Sequence, residues 1–378
     1  MEKEILMIGS ARGAHSGIAS VVNVYFAHGL FRRWRARYLA THADGSRLLK
    51  AWLAARSLAS LLARLGAGRV ALLHVLAASE ASVWRKSLFV LCARLFGVPY
   101  VLHVHCGRYA GYYERQRPWA QRLIRYQLRH ARAVIALSEE LREALASIAP
   151  ESRVISIYNP IPIPAWQASL DAAPPTVLFL GVLKPHKGVS DLLRAWPAVL
   201  EAAPQAQLVL GGSGDVDAAR ALARELGIEH CVELPGWIDG PQKEDLVRRA
   251  GALALPSYSE ALPMAVLECM AAGVPVVATR IAALPLAVHH GHTGELIEPG
   301  DRQGLARALA ALLTDAPRRF AMGGAGRQRA RDKFSADALL PKLEALWREI
   351  APELERGAPR QTGRWSGRIW QPGNATDR

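Results

Sequence analysis

The feature that most constrains this chain is a double alternation. Short apolar runs alternate with longer helix-periodic stretches, once before a proline-rich break and once after it. Such alternation is the signature of parallel α/β units. Before the break, strands are expected at residues 4–9, 36–40, 70–75, 100–105, 133–137 and 154–158, with helices such as 48–65 and 84–96, whose apolar residues recur at spacings of three and four. Ser138 followed by Glu139 and Glu140 marks another helix start: a capping hydroxyl, then acids at the positive helix end. The break, Asn159-Pro160-Ile161-Pro162-Ile163-Pro164, can be neither helix nor central strand, because three prolines in six residues remove donors and force extension. It reads, on to Pro174-Pro175, as an interdomain linker. Beyond it, strands are expected at 176–180, 207–210, 231–234, 252–255 and 274–278. Helices are expected at 189–201, 218–226, 242–249 and 263–272, with further helical stretches near 305–313 and 336–350. The expected architecture is two Rossmann-like, doubly wound domains facing each other across a cleft, with ligands outside the carboxyl ends of the strands. The domains are residues 1–165 and 166–335, then a C-terminal helix over 336–356 and a disordered basic tail over 357–378.

Charge separates the halves. The net charge is +14, and Lys+Arg stand at 23 against 9 Asp+Glu in residues 1–165 but 24 against 24 in 166–378. A basic half suits an anionic membrane face, a phosphorylated substrate or nucleic acid. Nucleic acid is disfavoured, because the sequence carries no recognition-helix or RNA-binding motif. Four scattered cysteines without a C-x-x-C pair exclude a disulfide scaffold and a zinc ribbon. The most apolar stretch, 87–105, is interrupted by Arg94, so no transmembrane helix is expected. The opening MEKEILMIGS reads as a buried strand rather than a signal peptide.

The chemistry concentrates in residues 251–280, GALALPSYSEALPMAVLECMAAGVPVVATR. A buried strand ends at Pro256, a polar turn follows, and a helix begins near Pro263, where a missing N–H is tolerated. Glu260 precedes that helix and Glu268 lies within it, ~12 Å further along the axis at 1.5 Å per residue. That separation is poor for sharing a proton. It suits an extended ligand with hydroxyls at both ends and a diphosphate between them, held by the free amides of Met264 and Ala265.

Ser259-Glu260, then Glu268, then Met270-Ala271-Ala272-Gly273-Val274-Pro275 resemble the retaining nucleotide-sugar glycosyltransferases of family 4, which have the GT-B fold. The resemblance runs from about residue 5 to 335. It includes Phe179-Leu180-Gly181, Lys187-Gly188, Leu210-Gly211-Gly212-Ser213-Gly214, Gly236-Trp237-Ile238, Gly294 and Pro299-Gly300-Asp301. It is similar above all to bacterial enzymes building exopolysaccharide, lipopolysaccharide or other surface glycans. The resemblance implies that Glu268 holds the ribose hydroxyls, Glu260 contacts the donor sugar, Met264 and Ala265 bind phosphate, Lys187 neutralises the leaving diphosphate, and the backbone of Ile238 reads the base. In the first half it places Gly17, at the end of GSARGAHSG, near the diphosphate, and His105 beside the sugar. His103 and His105 are two apart on one strand and share a face; a core histidine is the competing reading, the stronger one for His103.

Three departures stand out. Val182 occupies a place where the family often has arginine, with Lys184 as a possible substitute. Ala261 replaces a glycine, at a cost on the order of 1 kcal/mol if that position needs positive φ. Ala282-Ala283-Leu284-Pro285-Leu286 replaces Gly-Gly-x-Pro-Glu. Asp215-Val216-Asp217 imitates a metal-binding D-x-D but reads as a helix start, and His289-His290 as a helix-end surface feature.

The implied activity is metal-independent transfer of a hexose, with retention, from a UDP- or GDP-sugar to a glycan or lipid-diphosphate-linked acceptor, without a cofactor. The expected location is cytoplasmic, peripheral on the inner face of the cytoplasmic membrane. Arg32, Arg33, Arg35, Arg37 and Arg115, Arg117, Arg122, Arg125, Arg129, with Tyr109, Tyr112 and Tyr113, are the expected contacts to that anionic surface. Competing readings are a sugar epimerase or phosphorylase on the same fold, and a non-enzymatic nucleic-acid- or membrane-binding protein.

Overall fold

The computed structural model describes residues 2–357 except Ser79 and Arg108, so the tail expected at 357–378 lies, Gly357 excepted, outside the described residues. Among the described residues the chain forms two compact units, one built from residues up to Pro160 together with residues 336–357, the other from Ile161–Ser335.

In the first unit, β1 (Glu4–Ser10), β2 (Ala36–His42), β3 (Val70–Ala77), β4 (Tyr100–Val104), β5 (Ala133–Ala136) and β6 (Val154–Ser156) form one sheet in the order 2-1-3-4-5-6. All its pairings are parallel, with Ile5 opposite Leu72 and Val75 opposite Leu102. The central strand β3, VALLHVLA, is buried along its whole length, as a strand covered on both faces must be. The helix Ala336–Ile350 belongs to this unit, anchored by Leu339, Leu343 and the buried Trp347.

In the second unit, β7 (Thr176–Leu180), β8 (Gln207–Gly211), β9 (Val232–Gly236), β10 (Ala250–Leu255), β11 (Val276–Thr279) and β12 (Gly294–Ile297) form a second parallel sheet, in the order 12-11-10-7-8-9. Strand order reverses between β7 and β10, which is where doubly wound sheets bind ligands.

Four expectations need correction. The stretch from Ile161 to Pro175 is a strap packed on the second unit rather than a free linker. Its prolines lack donors but keep carbonyls, and arginines satisfy these: Arg327 donates to Pro164 O (2.6 Å) and Trp166 O (3.0 Å), and Arg319 to Leu170 O (2.8 Å). The helix Ala316–Phe334 was not anticipated. It is polar and interrupted by glycines, yet Gly323 packs so closely that a Cβ would lie 2.1 Å from Gly273 O. The short strand β12 was also missed. Finally, Tyr109, Tyr112 and Tyr113 are buried in the first unit's core, not presented to a surface. Arg33, Arg35, Arg37 and Arg129 are ion-paired with Glu344, Glu2, Glu4 and Glu151, and Arg125 donates to Tyr113 Oη (2.7 Å).

Candidate active site

The second unit gathers Lys187, Glu260 and the helix bearing Glu268 at the carboxyl ends of β7 and β10. After β7 the chain makes one 3₁₀ turn, Pro185–Lys187, and Gly188 follows at φ 70°. A Cβ on Gly188 would lie 2.0 Å from Pro256 O. Only glycine therefore lets this turn close onto the end of β10, and that closure delivers Lys187 to the loop carrying Glu260. Lys187 Nζ lies 2.6 Å from Glu260 Oε1, and Ser257 Oγ donates to the same oxygen at 2.8 Å. Ser257 is held in turn by Thr279 Oγ1, which donates to its carbonyl at 2.5 Å. A second bracket fixes the loop from outside. Tyr258 Oη and Arg302 Nε both donate to Asp191, each at 2.7 Å, and Tyr258 N donates to His186 O.

The helix carrying Glu268 begins at Met264, so Glu260 sits in the preceding loop and the axial estimate of ~12 Å does not apply between them. Pro263 caps this helix without a side-chain bond, and the amides of Met264 and Ala265 find no acceptor among the described residues. Glu268 is ion-paired with Lys243, of the helix Gly240–Arg248, and both side chains are largely buried. Lys243, 25 positions from its partner, carried no local signal in the sequence. Each site carboxylate thus has a lysine on one oxygen, while Glu260 Oε2 and Glu268 Oε1 have no partner among the described residues.

Ile238 follows β9. Its side chain is buried against Gly211, where a Cβ would lie 2.4 Å from Ile238 Cδ1, leaving the backbone as the part open to recognition. The glycine run after β8 has the same cause: a Cβ on Gly212 would meet Gly181 O at 1.7 Å. Lys184 is exposed and Val182 is apolar, so Lys187 and Lys243 are the cations touching these carboxylates. Asp215 sits at the N-cap of the helix Val216–Glu225 and Asp217 pairs with Arg220. His289 and His290 follow a four-residue helix on the surface. Ala261 is not among the residues with positive φ, so no strain falls there; it falls on Ala282, at φ 44°.

In the first unit, Gly17 opens the helix Gly17–Ala27 after β1, with Ser16 Oγ capping it by accepting from Ala19 N at 3.2 Å. His105 follows β4, its N–H donating to Ala77 O at 2.7 Å. Burial is the main reason its imidazole is pushed down to about 3, and Lys86 and His74 lower it further. Lys86 is itself buried beneath the end of β3, bonded to Leu76 O and Ser82 Oγ, and burial with help from Arg85 pushes it down to about 7.

Comparison with known proteins gives this arrangement a family. Residues 23–163 match the model for Glycosyltransferase Family 4 and residues 164–329 that for Glycosyl transferases group 1. The D-inositol 3-phosphate glycosyltransferase of Corynebacterium jeikeium is 37% identical over 193 residues, 49% of this chain and 46% of that enzyme. That of Thermobispora bispora is 31% identical over 252 residues, 64% of this chain and 58% of that enzyme. The chain therefore spans about half the length of the curated relatives it matches. Among solved structures, Anabaena HepE in complex with UDP-glucose superimposes with a TM-score of 0.72 at 20% identity, covering 93% of this chain and 99% of that one. A sucrose-phosphate synthase from Thermosynechococcus elongatus reaches 0.74 at 18% identity, covering 93% and 100%. The fold is GT-B, and the chain belongs to the family 4, group 1 glycosyltransferases.

Proposed function

We propose that this glycosyltransferase moves a hexose, with retention at the anomeric carbon, from a UDP- or GDP-sugar to an anionic acceptor, a lipid-diphosphate-linked or other surface glycan, without a metal ion. The observation that carries the reading is the cluster at the β7–β10 switch point. There Lys187 and Glu260 are in contact, and the helix bearing Glu268 starts with unsatisfied amides. A diphosphate arriving at those amides would take over Lys187, freeing Glu260 for a sugar hydroxyl, while Glu268 Oε1 accepts from a ribose hydroxyl. The acceptor hydroxyl attacks the anomeric carbon from the face the diphosphate leaves. The carbon–oxygen bond to the diphosphate breaks, and the departing oxygen takes the acceptor's proton, so no enzyme nucleophile is needed. That HepE was solved with UDP-glucose supports the donor class, and relatives named for inositol 3-phosphate support a negatively charged acceptor. The excess of basic residues in 1–165 fits the same acceptor charge. A thermal-shift screen of UDP-, GDP- and ADP-sugars tests the donor, since a ligand stabilises in proportion to the logarithm of its concentration over Kd. No shift with any of them would sink the assignment. Product formation that depends on an added acceptor separates transfer from epimerisation.

We assign the membrane face to residues other than those the sequence suggested. Among the described residues no helix is long and apolar enough to cross a membrane. The helix Arg47–Gly66 exposes Leu48, Leu49 and Trp52, with Arg56 over the indole at 5.3 Å, and the helix Pro118–His130 exposes Trp119 and Tyr126, with Arg94 over the phenol at 5.3 Å. Aromatic rings carrying arginine suit an anionic lipid–water boundary. Flotation should show binding to anionic vesicles that is lost with salt and weakened by Trp52→Ser; equal partition to neutral vesicles would refute it.

A further inference from the structure

Tyr258 stands two residues before Glu260 in the loop after β10, and two bonds fasten it to the segment that carries Lys187. Its backbone N–H donates to His186 O at 2.8 Å, and its Oη donates to Asp191 Oδ2 at 2.7 Å. Glu260 adds a third contact with the same segment, through Lys187. Residues 186–191 therefore hold the loop by a backbone bond, a phenol and an ion pair. The phenol is not fixed by burial, since Tyr258 is 46% exposed. It is fixed by the socket around Oη. Asp191 lies in the first turn of the helix Val189–Ala202 and is only 7% exposed. Its Oδ1 accepts from Arg302 Nε at 2.7 Å, so each carboxylate oxygen has a donor. Gly300, at φ 82°, closes the socket: a Cβ there would lie 3.2 Å from Tyr258 Oη. The bond to Asp191 is the largest reason the phenol is pushed above its ordinary value, so Oη keeps its proton and donates.

The three contacts stop being equivalent once a donor is bound. On the transfer reading above, the diphosphate takes over Lys187, so the ion pair is exchanged away while the loop must still present Glu260 to the sugar. The two bonds of Tyr258 use neither the Lys187 ammonium nor the Glu260 carboxylate, and they survive that exchange. We propose that Asp191, acting through Tyr258 Oη, is a positioning residue for Glu260: it holds the loop in place when Lys187 leaves its pair for the diphosphate. The role in turnover rests on the transfer reading; the hold on the loop does not. Arg302 balances the Asp191 charge, which lets a largely buried carboxylate serve as the acceptor.

Hydrogen exchange of the full-length, ligand-free protein tests the hold. In Tyr258→Phe the amide that donates to His186 O should exchange about tenfold faster or more, with the amides of β10 unchanged. Unchanged exchange at that amide overturns the proposal, and so does an equal acceleration in β10. This measurement needs no donor, so it stands apart from failure of the transfer reading. Kinetics test the role in turnover. Tyr258→Phe should lower kcat about tenfold with donor KM within about twofold. A loss confined to KM, or kcat within about twofold of wild type, refutes the positioning role. Asp191→Asn can still satisfy both neighbours: its amide oxygen accepts from Arg302, and its amide N–H donates to Tyr258 Oη, a hydroxyl that also accepts. It should therefore retain clearly more kcat than Asp191→Ala, and equal losses in those two would refute the role as well. Should Asp191→Ala fail to fold, Tyr258→Phe still decides. A wild-type enzyme silent with every donor would sink the transfer reading, and the exchange result would then decide the hold by itself.

Discussion

The same arrangement of six parallel strands ends in opposite electrostatics in the two units. In the second unit the carboxyl ends of the strands hold full charges, Glu260 with Lys187 and Glu268 with Lys243, each pair partly shielded from solvent. In the first unit the corresponding ends hold buried groups driven toward neutrality: His74, His103 and His105, with Lys86 pushed down to about 7. On the transfer proposed above, the difference teaches how one topology serves two tasks. A site for a charged donor can keep its cations ready by pairing them internally and exchanging those pairs for the ligand. A site that meets hydroxyls is better served by neutral donors and acceptors, which do not have to be desolvated as ions.

The largest expected effect tests the charged side. Removing Lys187 strips the developing diphosphate charge of its facing cation, and neither Val182 nor the exposed Lys184 is placed to replace it. Lys187→Ala should lower kcat by about 10²–10³-fold, about 3–4 kcal/mol in the transition state. Steady-state kinetics with the best donor from the screen measure this, and activity within about twofold of wild type would remove Lys187 from the leaving-group role.

The second prediction separates the two pairs. Glu268→Ala should raise donor KM about tenfold or more, as loss of hydrogen bonds to a charged group does. Glu260→Ala should act mainly on kcat. Because Glu268 also neutralises Lys243, its removal should destabilise the fold by about 1–3 kcal/mol. The double variant Lys243→Met with Glu268→Gln should recover stability in a thermal melt without recovering donor binding. If it recovered both, Glu268 would be a structural group only.

The neutral side has its own signature. His74 is pushed down to about 3 in the folded protein against about 6.5 unfolded. Between those values the unfolded chain binds a proton that the folded one does not, so stability falls as pH drops from 6.5 toward 3. The slope is about 1.4 kcal/mol per pH unit for such a group. Lys86, at about 7 folded, works in the same direction higher up: stability rises between pH 7 and its unfolded value near 10.5. None of the second unit's histidines is buried. Hydrogen exchange should therefore show β3 losing protection between pH 6.5 and 4.5 ahead of β10. Parallel loss in both strands would erase the contrast.

What could be read in advance follows the range of the interactions. Strand positions were legible because β10 is an unbroken apolar run and β3 is one but for His74, and Lys187 was legible through the Lys187-Gly188 pair that carries the family resemblance. The Lys243–Glu268 pair, the Trp347–His74 contact and the burial of the three tyrosines were not, since they join residues far apart in sequence with no periodic trace. The proline-rich strap was misjudged for a related reason. Its prolines announce extension, but only the distant Arg319 and Arg327 reveal where its carbonyls go.

The smallest expected effect concerns glycine replacement inside the second unit. The sequence pointed to three alanines, Ala261, Ala282 and Ala283, standing where the family has glycine, and the structure singles out Ala282. Ala282 sits at φ 44° in the turn after β11, a left-handed conformation costing an L-residue with a Cβ about 1–2 kcal/mol. Ala261 carries no such conformation. Ala282→Gly should relieve that strain while giving back about 0.4–1 kcal/mol through the greater freedom of the unfolded chain, for a net gain of about 0.5–1 kcal/mol. Ala261→Gly has only the unfolded-state term and should destabilise by about 0.4–1 kcal/mol. Urea unfolding of the two variants should therefore move the midpoint in opposite directions at constant slope. Shifts of the same sign would mean that the turn at Ala282 is not strained. A rise in kcat for Ala261→Gly would show that the loop carrying Glu260 is limited by its backbone rather than by the Lys187 pair.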